Sequence, residues 1–272
     1  MTSRRGPRLL ASTGALPLSR VDWVLEAIAD AGFDGAELVV TQGAGTRDPE
    51  RVRAAAERAG LDIPVVHGPY MVVSRHVLGL DYITKTCRSL ELTAAVGAGV
   101  LVAHAPWRME RRARQWLKDE VDFEAAEHGV LFAMENLFPV FGRHMSSVVT
   151  PDELAAFRHV VFDTSHFGAA GTDLLAAWEQ LRAQVVHLHV SDNHGSGRDD
   201  HAPIGEGVLP LGALLGAVGR SDYTGTITLE VNCRQHLDSR EQLVAFLAAQ
   251  RAQAERLLAG QPRAEVDDPL QR

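Results

Sequence analysis

The chain has 272 residues, 46% of them hydrophobic and 23% charged, with a formal net charge of −8 and only two cysteines. That length and apolar content suffice for one sizeable core, whereas the acidic balance speaks against a broadly basic nucleic-acid surface. Cys87 and Cys233 are too few for a disulfide framework and fit a reducing compartment. The amino-terminal stretch MTSRRGPRLLASTGALPLS lacks the apolar run of about 7 to 15 residues that a secretory signal needs, and no stretch approaches roughly 18 apolar residues. A soluble, cytoplasmic protein without a membrane span is expected.

Short apolar runs then alternate with amphipathic segments along the whole chain. RLLAST (8–13) precedes SRVDWVLEAIADAG (19–32), which carries Val21, Leu25 and Ile28 on one face. GAELVV (35–40) precedes DPERVRAAAERAG (48–60), opened by Asp48 with Pro49 at the first helical position and closed by Gly60. The order continues with IPVVHG (63–68), the helical pattern 81–97, GVLVAHA (99–105), the pattern 110–129 and VLFAMEN (130–136). After these come the pattern 150–159, VVFDTS (160–165), the pattern 172–183, VVHLHVS (185–191), the pattern 209–219, TITLEVN (226–232) and the pattern 239–260. Eight strands, each followed by a helical segment, read as parallel with right-handed crossovers. The simplest closure is a single α/β domain, a (β/α)8 TIM barrel of about 250 residues. An open doubly wound sheet is the alternative, but STGALPLS (12–19) is not the GxGxxG loop that usually follows its first strand. The barrel is assigned to residues 1–260, and the charged, proline-bearing tail 261–272 is expected to be disordered.

In a parallel barrel all strands display their carboxyl ends on one face. Those ends carry Glu37, His67, His104, Glu135, Asp163 with His166, His187 with His189 and Asp192, and Glu230; the loop after the seventh strand adds Asp199 and His201. An aspartate or histidine at one such position is more often a helix cap or turn residue than a ligand. The recurrence from strand to strand is what points to chemistry. A buried glutamate without a partner would cost several kcal/mol, so Glu135 and Glu230 require a cation, either a metal or an arginine. Imidazoles and carboxylates without thiolates suit Zn²⁺, Mn²⁺, Fe²⁺ or Co²⁺. His187 falls one layer deeper than His189 and reads as a packed core histidine. Glu37 is left open between substrate contact and pairing with an arginine.

Segments HGPY (67–70), ENLF (135–138), DTSHFGAAGTDL (163–174), HVSDN (189–193) and DDHAPIGEG (199–207) resemble the signatures of the xylose-isomerase-like barrels. That superfamily includes sugar-phosphate isomerases and epimerases and also endonuclease IV, the apurinic-site nuclease, and the resemblance runs through nearly the whole chain. It implies one divalent metal on Glu135, Asp163, His189 and Glu230. The nuclease pattern would add a second on His67 and His104 and a third on His166, Asp199 and His201, giving one to three ions of zinc or manganese, with cobalt or iron also compatible. Two reactions follow from it. In an isomerase or epimerase acting on a small carbohydrate, Glu135 and Glu230 would be the catalytic pair, one removing a proton to give an enediolate and the other returning it. The best-known ketose epimerases hold an arginine and an acid where this chain has Gly195 and Phe141.

In a phosphoester hydrolase, clustered metals would activate a water. The HGPY tyrosine, Tyr70, matches the nuclease. The loop TQGAGTRDPE (41–50) lacks the nuclease's DNA-entry segment, and the basic stretch RMERRARQWLK (108–118) reads most simply as a solvated helix face. The sugar reading is preferred, and a non-catalytic metal-dependent binding protein is a third class. Substrate contacts are expected from Glu37, Tyr70, Trp107 and Asp192, with Phe138 a further candidate wall, and families of this kind commonly form dimers or tetramers.

Overall fold

A computed structural model describes residues 6–14, 21–70, 76–139 and 142–261. Residues Ser19 and Arg20 of the first expected helix, Phe141, and residues 262–272 of the tail lie outside the described residues.

The eight strands are β1 (Arg8–Ser12), β2 (Gly35–Val39), β3 (Val65–His67), β4 (Val100–His104), β5 (Leu131–Glu135), β6 (Val160–Asp163), β7 (Val185–Val190) and β8 (Thr226–Leu229). They pair in sequence order, all parallel, and close when β8 returns to β1 with Arg8 opposite Thr226 and Ala11 opposite Leu229. The expected single (β/α)8 barrel is therefore the fold, and the open sheet is excluded. Alternation along the strands makes two apolar layers. Leu10, Val65, Val102, Ala133 and Val161 pack together inside the barrel, while Leu38, Leu101, Phe162, Leu188 and Ile227 pack outward under the helices.

The helices are α1 (Val21–Asp30), α2 (Pro49–Ala59), α3 (Tyr82–Val96), α4 (Arg111–Asp119), α5 (Val121–Glu127), α6 (Pro151–Leu154), α7 (Thr164–Ala169), α8 (Leu174–Leu181), α9 (Leu211–Arg220) and α10 (Arg240–Leu258). α2 forms where expected: Asp48 Oδ1 accepts from Arg51 N at 3.1 Å, and Gly60 ends the helix at φ 64°. Three helices depart from the pattern. The segment 110–129 breaks at Glu120 (φ −127°, ψ −29°) into α4 and α5, although Leu117, Val121 and Ala125 keep one buried face at a spacing of four. The segment 150–159 is a single turn, α6, because its chain must turn back into β6 within a few residues of the Thr150–Glu153 capping box. α7 is an addition, too short to leave an apolar period, and it stands directly on the end of β6 with Asp163 as its cap.

Register sets the site. His104 lies opposite Glu135, and Asp163 lies opposite His189, so ligand-type side chains are lateral neighbours on adjacent strands. The loop after β7 is tied back on itself: Asp192 N and Ala202 N each donate to the other residue's carbonyl, at 2.8 and 2.9 Å. Gly207 passes so close that a Cβ there would stand 2.3 Å from Asp192 Oδ1 and 2.5 Å from Asn193 O, so only glycine fits.

Candidate metal centre

Glu135 ends β5 with no solvent exposure, and imidazoles meet both of its oxygens. Oε2 is 3.0 Å from His67 Nε2 and 2.8 Å from His104 Nε2, whereas Oε1 is 2.8 Å from His189 Nδ1. Glu230, immediately after β8, brings Oε2 to 3.3 Å from the same His189 Nδ1, and Asp163 Oδ2 lies 3.5 Å from it. The nine residues expected as ligands fall into three groups: His67, His104 and Glu135; Glu135, Asp163, His189 and Glu230; and His166, Asp199 and His201. Within each group the donor atoms lie within 4.8 Å of one another, and Glu135 belongs to two of them.

The Asp163–His166 pair does two things at once. Asp163 Oδ1 accepts the amide of His166 at 2.7 Å, capping α7, so the cap reading holds for that oxygen. Oδ2 is buried with no hydrogen-bond partner. α7 in turn raises the His166 ring, whose Nδ1 lies 2.8 Å from Asn136 O and whose Nε2 lies 3.3 Å from Asp199 Oδ2. Asp199 meets His201 Nε2 at 2.8 Å and is held from behind by the Ser165 hydroxyl at 2.7 Å, which itself accepts from Asn193 at 3.1 Å. His201 has φ 46°, a left-handed conformation uncommon for a residue with a side chain, and its carbonyl accepts from Asn232 N at 2.7 Å.

Electrostatics follow from this crowding. Burial opposes the charge on Glu135, but the neighbouring His104 and His189 outweigh it and hold the carboxyl well below the usual range. Burial likewise works against charging His166 and His189, yet Asp163 and Asp199 around the first and Glu37 and Glu135 around the second push both well above the ordinary imidazole value. His201 is pushed up to about 9, burial being overcome by Asp199 and then Glu230. For His104 burial prevails and lowers it. Among the described residues, every ion-pair partner of Glu37, Glu135, Asp163, Asp199 and Glu230 is an imidazole and none is an arginine or lysine.

This donor set fits divalent cations. Asp163 Oδ2 and His104 Nε2 are buried polar atoms without a hydrogen bond, both within the ligand groups. The donors are oxygens and imidazole nitrogens, as zinc, manganese and their neighbours take.

Of the side chains expected to meet substrate, Tyr70 stands against the centre: its hydroxyl donates to Glu230 Oε1 at 3.0 Å, and its ring lies 5.0 Å from that of His67 and 5.6 Å from that of His104. Phe138 lies 5.2 Å from the His166 ring. Trp107 sits half-buried in the loop after β4, its amide donating to Glu110 Oε2 at 2.8 Å and its backbone bridged to Ser146. Asp192 turns its carboxylate into its own loop, where it accepts the amides of Asn193, Gly205 and Leu209 at 2.9, 3.0 and 3.0 Å. Those contacts make it a loop staple. Glu37 is 1% exposed and its partners are His187 and His189, across the barrel, so neither an arginine nor the open face engages it. Asn136 was not singled out by sequence, although it both donates to Asp163 O (3.3 Å) and accepts Asp163 N (3.0 Å). Its place beside Glu135 was the one available signal. Cys87 and Cys233 are free, and no helix of the described residues is long and apolar enough to cross a membrane.

A barrel with ligand-type residues at successive strand ends defines the class, and the sequence comparison agrees: residues 25–253 match the xylose isomerase-like TIM barrel family, to which this chain belongs. An uncharacterized protein of Mycobacterium leprae is 30% identical over 246 residues, spanning 82% of this chain and 88% of that protein. A Mycobacterium marinum protein named probable endonuclease 4 is 24% identical over 251 residues, 81% of this chain and 93% of that protein. Among solved structures, a D-tagatose 3-epimerase-like protein superposes with a TM-score of 0.66 at 21% identity, covering 90% of this chain and 98% of that one, a likeness of fold.

Proposed function

We propose that the chain is a divalent-metal-dependent isomerase or epimerase of a small sugar or sugar phosphate, with Glu135, Asp163, His189 and Glu230 holding the cation. The observation that carries this reading is the approach of Glu135 Oε1 and Glu230 Oε2 to one atom, His189 Nδ1, at 2.8 and 3.3 Å, from strands β5 and β8 on different sides of the barrel. Epimerisation removes a proton from one face of a carbon and returns one to the other, a task for two carboxylates. When bound, a divalent cation supplies Lewis acidity toward the substrate's carbonyl and hydroxyl oxygens. Glu230 is the freer carboxylate, with one oxygen held by Tyr70, and is assigned to proton removal. Glu135 serves the opposite side, with the His67 imidazole on Oε2 to supply and take up its proton. A small substrate suits the enclosure: side-chain exposure is 0% at Glu135 and 8% at Glu230, and the loop after β2 contains only a one-turn helix at Ala44–Thr46. The similarity of fold to the D-tagatose 3-epimerase-like protein supports the same class.

One observation favours a second reading, phosphoester hydrolysis. Glu135 straddles two ligand groups, as a carboxylate bridging two ions does, and a third group stands beside them. The likeness to a protein named probable endonuclease 4 points the same way.

Elemental analysis of protein purified without chelator or histidine tag separates the two, run beside assays on ketoses, their phosphates and inososes and on abasic DNA and simple phosphodiesters. One ion per chain with interconversion of a ketose is the expected result. Three zinc ions with phosphodiester cleavage and no isomerisation would replace the first reading by the second.

A further inference from the structure

His189 is the one imidazole in the central ligand group, and both of its nitrogens are engaged. Nδ1 faces Glu135, Asp163 and Glu230 at 2.8, 3.5 and 3.3 Å, while Nε2 lies 3.0 Å from each oxygen of Glu37. Carboxylates can only accept and they face both nitrogens, so the metal-free ring carries a proton on each. A cation among Glu135, Asp163 and Glu230 would take the place of the Nδ1 proton, while the Nε2 proton would stay on Glu37. Glu37 is held in its turn: His187 Nε2 lies 3.2 Å from its Oε2, and His187 Nδ1 lies 2.6 Å from Thr226 Oγ1. Donation therefore runs from the Thr226 hydroxyl to His187, from His187 to Glu37, and from His189 to Glu37. Glu37, His187 and His189 are at most 1% exposed, so solvent does not stand in for any of these bonds.

We propose that Glu37, braced by His187 and Thr226, is the positioning residue of the metal centre: it fixes His189 in the Nε2-protonated form and turns Nδ1 toward the cation position. The inference rests on the metal reading above and adds to it a residue that touches neither cation nor substrate. Carboxylates that hold the far nitrogen of a metal-ligating histidine fix its tautomer and raise its basicity, and losing one typically weakens metal binding about 10- to 100-fold.

The test is titration of zinc into metal-free wild type, Glu37→Gln and Thr226→Val in competition with a chromophoric chelator, with ¹⁵N NMR of the imidazoles. Far-UV circular dichroism of each metal-free protein reports folding, and Thr226→Val, which keeps the Glu37 charge and nearly the same volume, decides the matter if Glu37→Gln does not fold. The expected result is an unchanged number of ions at saturation, with one ion bound about 10- to 100-fold more weakly in Glu37→Gln. Thr226→Val should weaken the same ion to a smaller degree, and the zinc-loaded wild-type spectrum should show His189 protonated at Nε2 and the zinc-loaded Glu37→Gln spectrum a mixture. Equal affinities in all three proteins overturn the proposal, and so does the loss of one whole ion at saturation, which makes Glu37 a ligand. Failure of wild type to bind zinc, manganese or cobalt overturns the metal reading itself, an outcome distinct from either.

Discussion

Tyr70 and Glu230 are 160 residues apart in sequence, and the tyrosine hydroxyl donates to Glu230 Oε1 at 3.0 Å. Burial first, and then the charge of Glu230, push the phenol well above its ordinary value, so it stays protonated and remains a donor through the neutral range. Replacing Tyr70 by Phe removes that one bond to a charged group, an interaction of about 1.5 to 3 kcal/mol. Steady-state kinetics of Tyr70→Phe should show turnover reduced roughly 10- to 100-fold at that energy, with metal content unchanged. Loss of a metal ion instead would give Tyr70 a structural task.

Glu230→Gln keeps the shape of the side chain and removes its basicity. Turnover should vanish while the circular dichroism spectrum and thermal midpoint stay near wild type. An active Glu230→Gln enzyme would remove this residue from the mechanism.

His201→Ala takes away one of the two imidazoles beside Asp199. Elemental analysis should find the metal count lowered only if the third group binds an ion, and unchanged stoichiometry would show that the loop group binds none.

Proton release gives a further check. Asp199 and then Glu230 push His201 up to about 9 against its burial, so at pH 7 it carries a proton that an ion held with His166 and Asp199 would displace. Uptake of that ion at pH 7 should release protons, and its affinity should rise with pH until about 9. Calorimetry in buffers of different ionisation enthalpy measures this directly, and binding without proton release contradicts it. The same shift acts on folding with a definite sign. Because the folded value is raised, its contribution to the stability of the metal-free chain is complete below 6.5 and is lost as the pH climbs through about 9.

Gly207→Ala should lower the thermal midpoint measurably, with a cost of about 2 to 4 kcal/mol, because the added methyl meets the Asp192 carboxylate and the Asn193 backbone. An unchanged midpoint would mean that the loop rearranges freely.

Much of this was legible in the sequence because the barrel repeats itself. Eight apolar runs separated by helical segments state the topology, and the carboxyl end of each run states which residues meet. His67, His104, Glu135, Asp163, His189 and Glu230 could be found that way, since their position relative to their own strand is a local property. Glu37 could not be read fully. Its partners sit on β7, across the interior from β2, and no pattern within one segment reports which side chains touch through the barrel. Asp192 shows the converse failure: it occupies a strand-end position like the ligands do, yet the loop that follows claims its carboxylate. α7 was invisible because six residues are too few to show a helical period, and its cap was the residue already noticed for another reason.

Apart from His166 on α7, the ligand-type residues stand on two kinds of scaffold. Those at strand ends are locked into the paired sheet, with side chains at most 9% exposed, whereas Asp199 and His201 stand on a loop at 13% and 26%. A loop can open without disturbing strand pairing, so the two kinds of position answer to different free energies. On the metal reading, strand-held ions would behave as permanent parts of the folded core, while the loop-held ion would exchange with its surroundings and be the first lost to a chelator. Its occupancy would then track the free metal concentration around the protein, a graded quantity, even while the rest of the centre stays full.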